Sequence, residues 1–147
     1  MVSIRLSARD ELDAFVRMER QPHAISFINV NELAEHQIDF ENPKLVYLSI
    51  VNIRSELSGY FLLALEHDTN SVEFRRILID QHQRGIGQLA ITEMEAYCRN
   101  VLHCERVWLD VYADNKIGIH IYEKLGYTPF RDEIIKGRKL ICYEKAL

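Results

Sequence analysis

The chain has 147 residues, 48% hydrophobic and 27% charged, with a formal net charge of −4. That length and balance fit one domain over residues 1–147, and the acidic excess argues against nucleic acid as a partner. No run approaches the ~20 apolar residues that span a bilayer, and the N-terminus lacks a signal-peptide layout, so the expectation is a cytoplasmic protein without a membrane partner.

Residues 2–6 alternate and predict a short strand. Ser7 and Asp10 form a Ser-x-x-acid capping box that would open a helix running to about Met18, before Pro22 interrupts it. Residues 31–40 predict a second helix with Asn31 as its cap. Residues 45–53 and 57–66 are β-branched and aromatic around a polar break at Arg54–Ser55–Glu56, which predicts an antiparallel hairpin. Residues 71–79 follow as another strand.

Residues 84–99 carry Ile86, Leu89, Ala90, Met94 and Tyr97 at helical spacing. Residues 105–111 predict a strand and 115–125 a helix, with Ile117, Ile121 and Leu125 as its core stripe and Gly126 as its closing C′ glycine. Two last strands lie near 127–131 and 138–145. The helical crossover from 71–79 to 105–111 would set those two strands parallel within a mixed α/β layer. The three cysteines lack CxxC spacing and the six histidines lack HExxH spacing, so reduced, buried thiols and no metal are expected.

Two segments carry chemistry. His82, Gln83, Arg84, Gly85, Ile86 and Gly87 stand between a strand and an amphipathic helix that continues with Gln88. A helix start offers unpaired N–H groups and partial positive charge, and glycines let a phosphate approach the backbone. A plain two-glycine turn fits the same residues. Gly85–Ala90 also fits the dinucleotide fingerprint G-x-G-x-x-G/A, with Asp110 near the position of the expected acid, although five polar residues separate the strand from Gly85. In the second segment, Asn115, Tyr122 and Gly126 sit at 7-then-4 spacing. Tyr122 falls at the edge of its helix's apolar stripe, where its ring can pack while its hydroxyl reaches a cleft. Gly118 leaves that helix face bare, for a ligand or a neighbouring backbone.

At these residues the chain resembles the GCN5-related N-acetyltransferase (GNAT) family. The first signature of that family, Arg/Gln-x-x-Gly-x-Gly/Ala, matches residues 82–87 except at His82. The second, Asn with Tyr seven residues on and then Leu-Gly-Phe/Tyr, matches Asn115, Tyr122 and Leu125–Gly126–Tyr127. The resemblance implies the GNAT fold: a mixed, mostly antiparallel sheet of about seven strands with about four helices, in which a splayed parallel strand pair holds acetyl-CoA. It implies an acetyl-CoA-dependent N-acetyltransferase, with a primary amine attacking directly in a ternary complex.

The family pattern puts the pyrophosphate on 82–88 and the pantetheine arm along Ile77, Leu78 and Ile79, where a backbone N–H of Ile77 or Ile79 would polarise the thioester carbonyl. It makes Tyr122 the proton donor to the departing thiolate and Asn115 a cofactor or helix-start anchor. Glu73 is the expected base, placed by period-2 alternation on the same face as Ile77 and Ile79. A solvated ion pair with Arg75 or Arg76 is its plainer reading. A dinucleotide-dependent oxidoreductase and a non-catalytic CoA-binding module are the alternatives. The acceptor is a small molecule or a peptide N-terminus. Glu19, Glu32, Glu35, Asp39, Glu41, Asp132 and Glu133 could form an acidic wall suited to a polyamine, or ordinary solvated faces. The C-terminal strands leave room for pairing across a homodimer.

Overall fold

Strand formation follows the runs of branched and aromatic residues. A computed structural model of the chain, describing residues 1–25, 28, 30–81 and 85–147, contains β1 (Val2–Leu6), β2 (Leu45–Asn52), β3 (Leu57–Glu66), β4 (Ser71–Ile79), β5 (Arg106–Tyr112), β6 (Thr128–Ile135) and β7 (Arg138–Ala146). Its helices are α1 (Leu12–Glu19), α2 (Leu33–Glu41), α3 (Gly87–Asn100) and α4 (Lys116–Lys124). Among the described residues the strands form one sheet in the order β1-β2-β3-β4-β5-β7-β6. Every neighbouring pair is antiparallel except β4 and β5. This is the expected mixed sheet with a parallel crossover pair.

Two cores sandwich the sheet. On one face α1 packs Leu12, Phe15 and Met18, and α2 packs Leu33 and Phe40, against Tyr47, Tyr60, Leu62 and Leu78. On the other, α3 packs Ala90, Ile91, Met94 and Cys98 over Leu48, Phe61, Leu63, Val107 and Leu109, with Ile121, Tyr122 and Leu125 of α4 at the margin. Tyr127 closes that core and donates to Glu95 of α3 at 2.7 Å. Gly126 at φ +96° makes the turn before it, a conformation that costs glycine little.

Several local expectations change. A 3-10 turn over Arg9–Glu11, capped at Ala8 rather than Ser7, leads into α1. Ser7 bonds Ser49 instead, while the Glu11 carboxylate accepts from the Ala8 N–H at 2.8 Å. Glu32, not Asn31, stands at the N-cap of α2, and Glu35 accepts its N–H. In α4, Ile117 is 79% exposed, so the apolar stripe runs through Ile121, Tyr122 and Leu125. Leu89 is likewise exposed, and Ile91 takes the buried place. The three cysteines are free and buried, as expected. No helix among the described residues is long and apolar enough to cross a membrane.

Candidate acetyl-transfer site

β4 and β5 pair only over Ser71–Glu73 and Arg106–Trp108. Beyond that point they part, and the gap opens into a cavity of about 450 Å3. Its walls include Phe74, Arg75, Arg76 and Ile77 of β4, Leu109–Tyr112 of β5, and Asn115 and Tyr122.

A β-bulge at Arg75 sets the chemistry of the β4 wall. Leu62 of β3 faces Arg76, while its neighbour Leu63 faces Phe74, so Arg75 is the extra residue. Bulges of this kind bend a strand and reset its alternation. Two consequences follow. First, the Asp80 N–H donates to the Ser58 carbonyl at 2.8 Å. Antiparallel pairs alternate between bonded and unbonded, so Leu78 turns its peptide groups to β3, and Ile77 and Ile79 turn theirs to the gap. A His23 ring nitrogen lies 2.7 Å from the Ile79 carbonyl, which confirms the outward direction. Leu78 was expected on the pantetheine path; its backbone is committed to β3 and its side chain to the α1 core.

Second, the bulge reverses the expected placement of Glu73. Glu73 pairs with Ala64 and shares the α1 face with Leu62 and Arg76, not the face of Ile77. Unbroken period-2 counting fails because it steps over the extra residue. The Glu73 carboxylate accepts from Arg75 at 2.9 Å and does not line the cavity.

Asp110 is the carboxylate that does, the one such group on the lining among the described residues. Along β5, Val107, Leu109 and Val111 are buried against α3, which leaves Asp110 on the opposite face. That alternation was visible in the sequence, where Asp110 drew attention only as the acid of a dinucleotide unit. Burial, then the charges of Glu73 and Glu133, push its carboxyl above the usual value, against the lowering effect of Arg75 and Arg131.

Tyr122 reaches the cavity from α4. Its ring meets Phe74 and Tyr127 edge-on, each at 6.0 Å. Burial, then the Asp110 charge, push its phenol up to about 12. Asn115 caps α4, its Oδ1 accepting from the Gly118 N–H at 3.0 Å. The Asn115 side chain also fills the space above Gly118, where a Cβ would stand 2.8 Å from Nδ2. The bare helix face therefore serves the cap.

His82, Gln83 and Arg84 lie outside the described residues. Beyond them Gly85 takes φ +98°, Ile86 leads into α3, and no side chain among the described residues caps that helix. Its first-turn N–H groups, at Gly87 and Gln88, have no intrahelical partner.

Under the cavity lies a polar network. The Glu19 carboxylate, fully buried, accepts from His36 Nε2 at 2.7 Å, Tyr60 hydroxyl at 2.6 Å and Arg76 Nη1 at 2.7 Å through Oε1. Oε2 accepts from the Asn31 N–H at 3.1 Å. Glu19 is therefore not part of an acidic wall. None of the seven acids expected there lines the cavity. Glu32 and Glu35 serve α2, and Glu41 pairs with Arg9.

Residues 10–127 match the family model described as the acetyltransferase (GNAT) family. This chain belongs to that family. As a GNAT acetyltransferase it takes its acetyl group from acetyl-CoA and passes it to an amine, and the oxidoreductase alternative falls away. Solved structures carry the same fold. The spermidine N-acetyltransferase from Vibrio cholerae in complex with CoA and spermine superposes at TM-score 0.85 and 17% identity, over 99% of this chain and 95% of that one. The Vibrio cholerae spermidine/spermine N-acetyltransferase SpeG in complex with manganese ions gives 0.80 and 16%, over 99% and 92%. At such identities the superpositions show a shared fold alone. No curated protein sequence matches it.

Proposed function

We propose that the gap between β4 and β5 is the acetyl-transfer site and that a primary amine attacks there directly while donor and acceptor are both bound. One observation carries this reading: the strands part where Ile77 and Ile79 turn their peptide groups outward, and Tyr122 borders the same cavity. Acetyl-CoA supplies an acyl group activated on sulfur. The residues present fit it: two outward peptide units for a strand-like arm, and an uncapped helix start for a diphosphate.

In this reading the N–H of Ile77 or Ile79 holds the developing oxyanion. Residues 82–88 hold the diphosphate. Asn115 fixes the start of α4 and so the reach of Tyr122. Tyr122 stays protonated at neutral pH and gives its proton to the departing sulfur. Asp110 takes the proton of the attacking amine, directly or through water. Glu73, expected as the base, acts beside it: its negative charge helps to raise the proton affinity of Asp110. The three free, buried thiols fit a reducing, cytoplasmic setting. The outermost strand, β6, is exposed along its length and is the edge on which a second copy would pair.

The test is thiol release from acetyl-CoA with an amine panel, as a function of pH. Asp110→Asn is expected to lower kcat about 100-fold. Glu73→Gln should shift the rising limb of the profile to lower pH with a smaller loss. The reverse pattern would return the base role to Glu73.

A further inference from the structure

The charges around the cavity select an acceptor. Among the described residues, three on the lining are arginines, Arg75, Arg76 and Arg138, against one acid, Asp110. Each guanidinium is held by a carboxylate outside the lining. Arg76 donates to buried Glu19 at 2.7 Å, and Arg75 to Glu73 at 2.9 Å. Arg138 makes a two-point contact with Asp114 at 3.0 and 3.1 Å and stacks over Tyr112, 3.7 Å from the ring centroid. Glu19, Glu73 and Asp114 are not on the lining, so the arginines are the charged groups that a molecule in the cavity meets beside Asp110. Fixed guanidiniums suit a planar carboxylate better than any cation.

The two signs are also separated by element. Asp110 of β5 and Tyr122 of α4 line the cavity together. Arg138 begins β7, on the rim with Ile135 and Leu140. A second or third ammonium group, as a polyamine carries, would have no further carboxylate on the lining and would lie against guanidiniums.

We infer that the acceptor is a small zwitterionic amine of the amino-acid type, its nitrogen at Asp110 and Tyr122 and its carboxylate at Arg138 and Arg75. This rests on the acetyl-transfer reading above and narrows it to a substrate class.

The test keeps the two apart. Thermal shift with acetyl-CoA on the full chain comes first; no shift would sink the acetyl-transfer site itself. With donor binding established, glycine, alanine, methionine and glutamate are compared with their methyl esters and with spermidine, by thiol release and by calorimetry on the CoA-loaded protein. The free-carboxylate forms are expected to exceed esters and spermidine by about tenfold or more in kcat/KM, the scale of one charge-assisted contact. Arg138→Gln should collapse that ratio through KM. Arg138→Glu should turn it toward spermidine. Both changes are at an exposed side chain, so folding is not at stake. Equal or better use of esters or spermidine by the unmodified protein overturns the inference. So does failure of every carboxylated amine to bind or react.

Discussion

Arg76 of β4 donates to Glu19 of α1 at 2.7 Å, across 57 residues of sequence. The contact ties the helix that covers the sheet to the strand that walls the cavity. Removing one partner of a buried ion pair costs about 3–5 kcal/mol, because the other charge is left without compensation. Glu19→Ala is therefore expected to lose about that much in urea unfolding. A joint Glu19→Leu, Arg76→Met variant should recover most of it, since an apolar pair removes both buried charges. No recovery would mean that the other Glu19 partners, His36 and Tyr60, set the cost.

Acid should weaken the fold through two carboxylates. The Arg5 hydrogen bonds hold Glu11 well below its usual 4.5, at about 2. Burial pushes Glu19 up, but hydrogen bonds from His36, Tyr60 and the Asn31 N–H outweigh it and hold this carboxyl below the usual value too. Both groups bind protons more readily in the unfolded chain. Their stabilisation is complete above about pH 4.5 and is lost as pH falls toward 2. Urea midpoints should be flat between about pH 5 and 8 and drop below that range. Glu11→Gln should flatten the drop; an unchanged curve would contradict the assignment.

Tyr122→Phe removes only the hydroxyl from a ring packed by Phe74 and Tyr127. General-acid catalysis is worth about 100- to 10,000-fold, so kcat should fall on that scale. Acetyl-CoA binding, read by calorimetry, should stay within about twofold, since the ring packing that shapes the cavity is kept. Unaltered thiol release would remove Tyr122 from the mechanism.

Gly59 is the β3 residue opposite Ile79. A Cβ there would collide with the Leu78 carbonyl oxygen and stand 3.1 Å from Ile79 Cα. Gly59→Ala must push β4 away from β3, at the point where β4 also borders the gap. A loss of about 1–3 kcal/mol is expected, together with weaker acetyl-CoA binding. Full stability with normal binding would show that β4 can shift freely.

Much of this protein was written locally. Apolar alternation and helical spacing in 45–79 and 87–125 fixed the strands and helices to within a few residues, and Gly126 marked the end of α4. The spacing of Asn115, Tyr122 and Gly126 pointed to the family before any fold was in view, because the cap, the tyrosine and the turn belong to one helix. Tertiary structure alone decided the rest. The bulge at Arg75 is a mismatch between two strands, so no property of residues 71–79 by themselves reveals which way Glu73 or Ile77 faces. The burial of Glu19 depends on His36, Tyr60 and Arg76, which reach it from three other elements. Local sequence sets which backbone shape each segment prefers. The faces of the strands, and the charges that remain inside the cavity, are set by long-range partners whose register no single segment contains.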